Sequence, residues 1–365
     1  MYNNAGKRES ERGVVLLVVL IAVAILTTLV VDLIYFTQID TTISANVREE
    51  IEARYLAKSG IEVMAGTIKE KSLEELDKNT SLFGEQSDSS EGYWALNVPS
   101  FPLGDGAFSL KIVDERSKIN MNELVGRTTN LVDNRVLTEL AELFGMLGIE
   151  YSKSSLFIGS LINWLDRPIQ GSKIQNDQSP VGADADFYAS LDNPYRMKDG
   201  PLDSVGEILL IRGMDEEFFD KIKNYVTVYP KDEKVNFSTA PKVVMMAVLK
   251  GAAFAVSGGE DNNPISDDVL QSIADAVIEE RKENPIINLE KVKEIEKRYN
   301  VDSSNSISSG LTILVLNSGK SDVFSVTSTG SLGGENPTVS IIEAVIRKST
   351  SGKSGEVNVI SWKER

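Results

Sequence analysis

The chain has no histidine and no cysteine among its 365 residues. Without histidine there is no imidazole base to activate a serine or a thiol, and no imidazole metal ligand. Without cysteine there is no disulfide, thiolate zinc site, iron–sulfur cluster or dithiol redox pair. Any bound metal must be a hard cation held by oxygens, and any catalysis would rest on carboxylates, lysine, tyrosine or bare hydroxyls. Basic residues are also scarce: 38 Lys and Arg stand against 54 Asp and Glu, a formal net charge of -16. That balance argues against nucleic-acid binding, in which Lys and Arg displace counterions from phosphates. The lack of cysteine does not fix the redox compartment, because exported proteins need not carry disulfides.

What is present begins with a long apolar run. Val14–Val31 reads VVLLVVLIAVAILTTLVV without a charge, and after Asp32 the run resumes as far as Phe36. About 20 apolar residues span a hydrocarbon core, so 14–36 is long enough. Lys7, Arg8 and Arg12 precede it and Asp32 and Asp40 follow, which orients the amino terminus to the cytoplasm and the bulk of the chain to the far side. A cleavable secretory signal would have a shorter apolar region ending in small residues. Here the run passes instead into Thr-Gln-Ile-Asp, leaving a plain signal anchor as the simpler alternative.

Beyond the span, Ile39, Ile43, Val47, Ile51, Tyr55/Leu56, Ile61, Met64/Ala65 and Ile68 recur every three to five residues between charges. That spacing predicts a continuing amphipathic helix facing a core, with Gly60 its one soft point. Ser72–Glu91 reads as a surface loop or short helix. Tyr93–Leu96 and Ala107–Val113 read as strands around the turn FPLGDG, with Phe108, Leu110 and Ile112 on one face. Helical spacing then dominates: Arg135–Leu147, Ser154–Asp166, Ser204–Arg212, Glu216–Val226, Ala240–Leu249, Asp267–Glu283 and Leu289–Tyr299. Strand patterns return at Leu311–Leu316, Val323–Thr329 and Ser340–Arg347, followed by a tail that opens Ser/Gly/Lys-rich. Strands bracketing helices imply an α+β fold: a long amino-terminal helix on an antiparallel sheet, with a large α-helical domain inserted between strands.

Ser204-Val-Gly-Glu207 is a capping box, and Gly213 separates that helix from one starting at Asp215. The unit resembles a helix-hairpin-helix, with a looser second copy at Asp267–Tyr299. In nucleic-acid binders such hairpins grip phosphate, but here Asp215, Glu216 and Glu217 would meet it, so packing is the expected role. Asp32 either reaches the headgroups or contacts a neighbouring helix.

Gly13 at the polar-to-apolar junction resembles a type IV prepilin-like amino terminus. The resemblance implies that a membrane prepilin peptidase cuts between Gly13 and Val14 and that Val14 becomes N-methylated. Most members carry a glutamate at the fifth mature position; here that position is Val18. The minor pseudopilin K of type II secretion is the member known for lacking it. Trp164-Leu165-Asp166 followed by Gly182-Ala183-Asp184-Ala185-Asp186-Phe187-Tyr188 is similar to that family. So, in order, are Asn193–Arg196, Ser204–Met214, Tyr225–Pro230, Val235–Pro241, Val323–Thr329 and Ile341–Arg347. The resemblance thus runs from Gly13 to Arg347.

It implies a leader at 1–13, a transmembrane segment at 14–36, and the rest of the helix with the first strands at 37–119. An inserted helical domain at 120–305, returning strands at 306–348 and a mobile tail at 349–365 complete the division. It also implies a non-enzymatic minor pseudopilin of the inner membrane, single-pass, with its bulk in the periplasm. Acting at the tip of the pseudopilus, it would start or cap fibre assembly for export of folded proteins. The implied partners are other minor pseudopilins, the major pseudopilin, the prepilin peptidase, and the secretin channel and secreted cargo. Family members hold calcium in the helical domain, which carries over to Asp166, Asp184 and Asp186. Asn163, Arg167-Pro168 and Ala185 depart from the acidic pattern. Two other readings stay open: a minor pilin priming a type IV pilus or DNA-uptake filament, and a signal-anchored extracytoplasmic enzyme using carboxylates. The missing histidine and the lack of any acid–base constellation weigh against the enzyme.

Overall fold

The computed structural model describes residues 5–70, 87–88, 94–166, 181–229, 231–256, 265–299, 306–334, 336–349 and 356–365. In chain order the elements are α1 (Ala5–Glu70), β1 (Ser87–Asp88), β2 (Trp94–Leu103), β3 (Gly106–Asp114), β4 (Ile119–Asn120), α2 (Asn134–Met146), α3 (Tyr151–Leu165), α4 (Ala185–Ala189), α5 (Glu216–Ile222), β5 (Val226–Thr227), α6 (Lys242–Val256), α7 (Asp267–Glu283), α8 (Leu289–Arg298), α9 (Ser308–Leu314), β6 (Val323–Leu332), β7 (Thr338–Lys348) and β8 (Val357–Glu364). The expected α+β architecture is present. One antiparallel sheet has the order β1-β2-β3-β6-β7-β8, so β3 and β6 are neighbours although everything from Glu115 to Asp322 lies between them in sequence. That intervening chain is mostly helical, with a second core of its own.

Helix α1 runs unbroken for 66 residues, about 100 Å at 1.5 Å per residue. It is the one helix among the described residues long and apolar enough to cross a membrane. Its apolar side chains from Val14 to Phe36 have no protein cover. Thr27 and Thr28 satisfy their hydroxyls by donating to the Val23 and Ala24 carbonyls at 2.8 and 3.0 Å.

The far end of α1 lies on the sheet. Ala57, Ile61, Met64 and Ile68 pack with Phe108, Leu110 and Ile112 of β3, Phe324 and Val326 of β6, and Ile342, Ala344 and Ile346 of β7. The period of two in these strands sends alternate residues to the helix-covered face, as expected for Phe108/Leu110/Ile112. The crossing is close. A Cβ on Gly330 of β6 would stand 2.0 Å from the Ala53 carbonyl oxygen, so only glycine lets the helix backbone approach there.

Only the lower part of the amphipathic stripe is used in this way. Ile39, Ile43, Val47, Ile51 and Tyr55 are exposed, because the sheet begins to cover α1 only near Ala53. The spacing predicts a stripe that faces a core. Over 39–55 it faces outward.

Three further expectations are corrected. Leu311–Leu316 was read as a strand, and the returning strands were placed at 306–348. Instead Ser308–Leu314 is helical and the strands resume at Val323. The reason is a tertiary cap: the Glu296 carboxylate accepts from Ser306 Oγ at 2.9 Å, Ile307 N at 2.7 Å and Ser308 Oγ at 2.5 Å. It thereby satisfies a helix start that local pattern does not announce. The tail from 349 was read as mobile, yet Val357–Glu364 is the sixth strand of the sheet. Its pairing with β7 is reinforced by an Arg54–Glu364 ion pair at 2.8 Å and reciprocal backbone bonds between Ile341 and Arg365. Finally, Ser204–Arg212 forms only a 3-10 turn over Val205–Leu210, and the helix expected from Glu216 to Val226 stops at Ile222. Val226 and Thr227 instead pair in parallel with β4. Most of the surface loop or short helix read at Ser72–Glu91 lies outside the described residues.

Candidate assembly surface and domain joint

The candidate site residues fall in two places far apart in sequence. Val14 and Val18 lie on α1 with their side chains exposed. Gly13 is within the helix span, and its surroundings lie outside the described residues. Val18 therefore joins an unbroken apolar surface where a glutamate would place a carboxylate.

Asp166, Asp184 and Asp186 flank the segment 167–180, which is outside the described residues. The three are occupied separately. Asp166 accepts from the Asn130 side-chain amide. Asp184 is the N-cap of α4, accepting from Phe187 N at 3.2 Å, and Asp186 is exposed in the first turn. Among the described residues no group of three acidic side chains could hold a metal ion, so the expected calcium set does not converge there.

The Trp164-to-Tyr188 motif is instead a latch. A Cβ on Gly182 would lie 2.0 Å from the Gly159 carbonyl carbon, so the loop rests directly on the α3 backbone. Ser160 Oγ accepts from Ala183 N and Asn163 Nδ2 donates to Ala183 O, both at 3.0 Å. A carboxylate at 163 could not make that donation. Tyr188 is fully buried with its ring edge-on to Trp164 at 5.3 Å, and its hydroxyl oxygen accepts from Arg212 N at 3.3 Å.

The hairpin-like unit is also packing. Gly213 adopts φ +93° against the Phe157 backbone, and Asp215 caps α5 by accepting from Phe218 N at 2.9 Å. The expected Ser204 cap is not made. Glu207 reaches one residue further back and accepts from Asp203 N at 2.9 Å, and it also takes Trp164 Nε1 at 3.0 Å.

Sequence reasoning missed the joint between the sheet and the helical domain. Asp114, the last residue of β3, is fully buried and accepts four bonds: Arg116 N at 2.8 Å, Thr239 Oγ1 at 2.5 Å, Ser321 Oγ at 2.6 Å and Asn236 Nδ2 at 3.0 Å. Burial pushes its carboxyl pKa up, and those four donors hold it back. Arg116 bridges Asp322, beside β6, to Asp232, which it grips with two nitrogens at 2.6 and 3.0 Å. Burial opposes the guanidinium charge, but the two carboxylates outweigh it and raise its pKa. Glu115 takes Lys118 at 2.6 Å together with the hydroxyls of Thr227 and Ser325. The motifs Tyr225–Pro230 and Val235–Pro241 thus supply Thr227, Asn236 and Thr239 to one polar knot where the chain leaves and re-enters the sheet. The visible signal is only that these motifs lie between helices and carry Thr227, Asn236, Ser238 and Thr239.

Residues 117–231 match the family model described as type II secretion system (T2SS), protein K. The resemblance to type II secretion system protein K is borne out. The chain is 26% identical over 241 residues to the protein of that name from Pectobacterium carotovorum subsp. carotovorum, covering 64% of this chain and 67% of the relative. It is 22% identical over 236 residues to the one from Klebsiella pneumoniae, covering 63% and 66%. In fold it is similar to a chain in the crystal structure of the GspK-GspI-GspJ complex from the enterotoxigenic Escherichia coli type 2 secretion system. That match has a TM-score of 0.56 and 17% identity, over 87% of this chain and 99% of the other. The protein K family model opens at residue 117, beside the joint, and covers the Trp164 latch and the 3-10 turn.

Proposed function

We propose that this chain is a minor pseudopilin that seeds or caps the tip of a type II secretion pseudopilus, with no enzymatic role. The observation that carries the reading is the outward-facing stripe Ile39, Ile43, Val47 and Ile51 on α1, between the membrane span and the sheet. Four β-branched side chains on one helix face lose their water only if another helix covers them. The partners proposed are other minor pseudopilins, in keeping with the complex in which the fold neighbour was solved. The major pseudopilin, secretin and cargo are proposed as further contacts. Cleavage between Gly13 and Val14 with methylation of Val14, and residence in the inner membrane with the bulk in the periplasm, belong to the same proposal.

Val18 supports the tip position. A glutamate in the span costs several kcal/mol unless partnered, so a subunit with valine makes no such demand on a neighbour. The inserted helical domain adds bulk at the sheet end of α1, which an end position accommodates.

The test is co-purification of the full chain with the minor pseudopilins of its own secretion system, alongside mass measurement of its amino terminus. Ile43→Asp with Val47→Asp is expected to abolish the complex while leaving the fold intact. A wild-type amino terminus at Met1, or a complex indifferent to the double variant, would overturn the reading.

A further inference from the structure

Helix α2 carries one acidic residue on the face that packs into the helical core. Glu139 is 1% exposed, between Val136, Leu140 and Leu143, which are themselves buried. Its Oε1 is buried and has no hydrogen-bond partner among the described residues. The helix opposite is α6, and the contact is tight. A Cβ on Gly251 would lie 2.7 Å from Glu139 Cγ and 3.0 Å from Oε1, so the glycine makes room for the carboxyl.

The charges around it do not neutralise it. On its own helix start are Asp133 and Arg135, and these two are paired with each other. From the loop before α6 comes Glu233. On α6 itself, Lys242 pairs with Asp275 at 2.5 Å, and Lys250 with Glu142 and Asp267 at 2.7 and 3.1 Å. Burial therefore dominates, the Asp133 charge adds to it and Arg135 only partly opposes it. The carboxyl is held well above its ordinary 4.5. A buried carboxylate with an oxygen unpaired is costly, and a carboxylic acid in the same place costs much less.

We infer that Glu139 is a proton-dependent latch between α2 and α6: it closes the seam as a carboxylic acid and loosens it as a carboxylate. The sign follows from linkage. The closed seam holds up to one proton more than the open one only between the ordinary glutamate value and its own raised value, so across that window opening becomes easier as pH rises, by up to about tenfold per pH unit. The inference does not depend on the assembly proposal, because it concerns the inside of the helical domain.

Hydrogen exchange by mass spectrometry on the detergent-solubilised full chain, corrected for the chemical exchange rate, tests it between pH 5 and pH 9. Opening of 134–146 and 242–256 is expected to rise over part of that range by up to about tenfold per unit, while 289–298 follows the chemical rate alone. Glu139→Gln and Glu139→Leu, of which either suffices if the other fails to fold, should flatten the rise. Glu142→Gln, altering the half-buried Lys250 pair one turn away, should retain it. A flat wild-type profile overturns the latch whatever the variants do. So does a rise shared equally by 289–298 or unchanged in a folded Glu139 variant.

Discussion

Gly60 on α1 stands so close to Ser328 on β6 that a Cβ built on the glycine would lie 2.3 Å from the serine Oγ, and within 3.0 Å of Leu110 and Phe108 side-chain carbons. In sequence this glycine is a weak point in a helix, costing about 1 kcal/mol against alanine. In the fold it is what allows the helix to lie flat on the sheet.

Gly60→Ala tests which effect wins. The helix gains about 1 kcal/mol of propensity, but overpacking at a seam costs typically 1–3 kcal/mol, so a net loss is expected in the denaturant midpoint. Ser328 Oγ is buried without a hydrogen-bond partner among the described residues. Ser328→Ala alone should therefore be neutral or stabilising, and combining it with Gly60→Ala should recover part of the loss. An additive double variant would refute the contact.

Arg116→Ala removes the cation between Asp232 and Asp322 and leaves a mostly buried Asp322 and a half-exposed Asp232 unpaired. Breaking a fully buried pair costs about 3–5 kcal/mol; the exposure of Asp232 puts the expected loss at the lower end, and calorimetry should show the sheet and the helical domain unfolding apart. Arg116→Lys should rescue little, because a point charge cannot keep the two-nitrogen grip on Asp232. A loss under about 1 kcal/mol would mean that the joint rests on packing rather than on this arginine.

Acid should weaken the same joint. Burial tends to raise the Asp232 carboxyl, but the Arg116 hydrogen bonds and charge outweigh it and hold the pKa below 3.8. A lowered carboxyl contributes stability that is present above the unfolded value and is lost as pH falls through the folded one. Asp232→Asn should therefore flatten the acid limb of a melting-temperature profile below about pH 4 and leave its neutral limb level. Partial exposure keeps the effect under about 1 kcal/mol, and an unchanged acid limb would contradict it.

Asp184→Ala removes the cap of α4 and should cost about 1 kcal/mol. The loss is expected to be equal with calcium and with chelator, read as the shift in melting temperature. A loss confined to the calcium sample would restore the metal reading of Asp166, Asp184 and Asp186.

Much of this protein was legible in the amino acids alone, wherever the cause was local. The uncharged run from Val14, the alternation at Phe108, Leu110 and Ile112, and the strands bracketing helices each follow from period and polarity over a few residues. Asn236, Thr239 and Thr227 were visible as motifs but not as a joint, because their partners, Asp114 for the first two and Glu115 for Thr227, are more than a hundred residues away in the chain and only the return of β6 beside β3 brings them together. Helix α9 depends in the same way on Glu296. The tail strand depends on β7, whose free edge offers the backbone bonds that an isolated Val357–Glu364 would lack. Composition and periodicity determined the long apolar helix and the fold class. Tertiary structure decided which apolar stripe stays uncovered, which acidic residues are capping groups, and that Glu139 lies buried in the seam between α2 and α6.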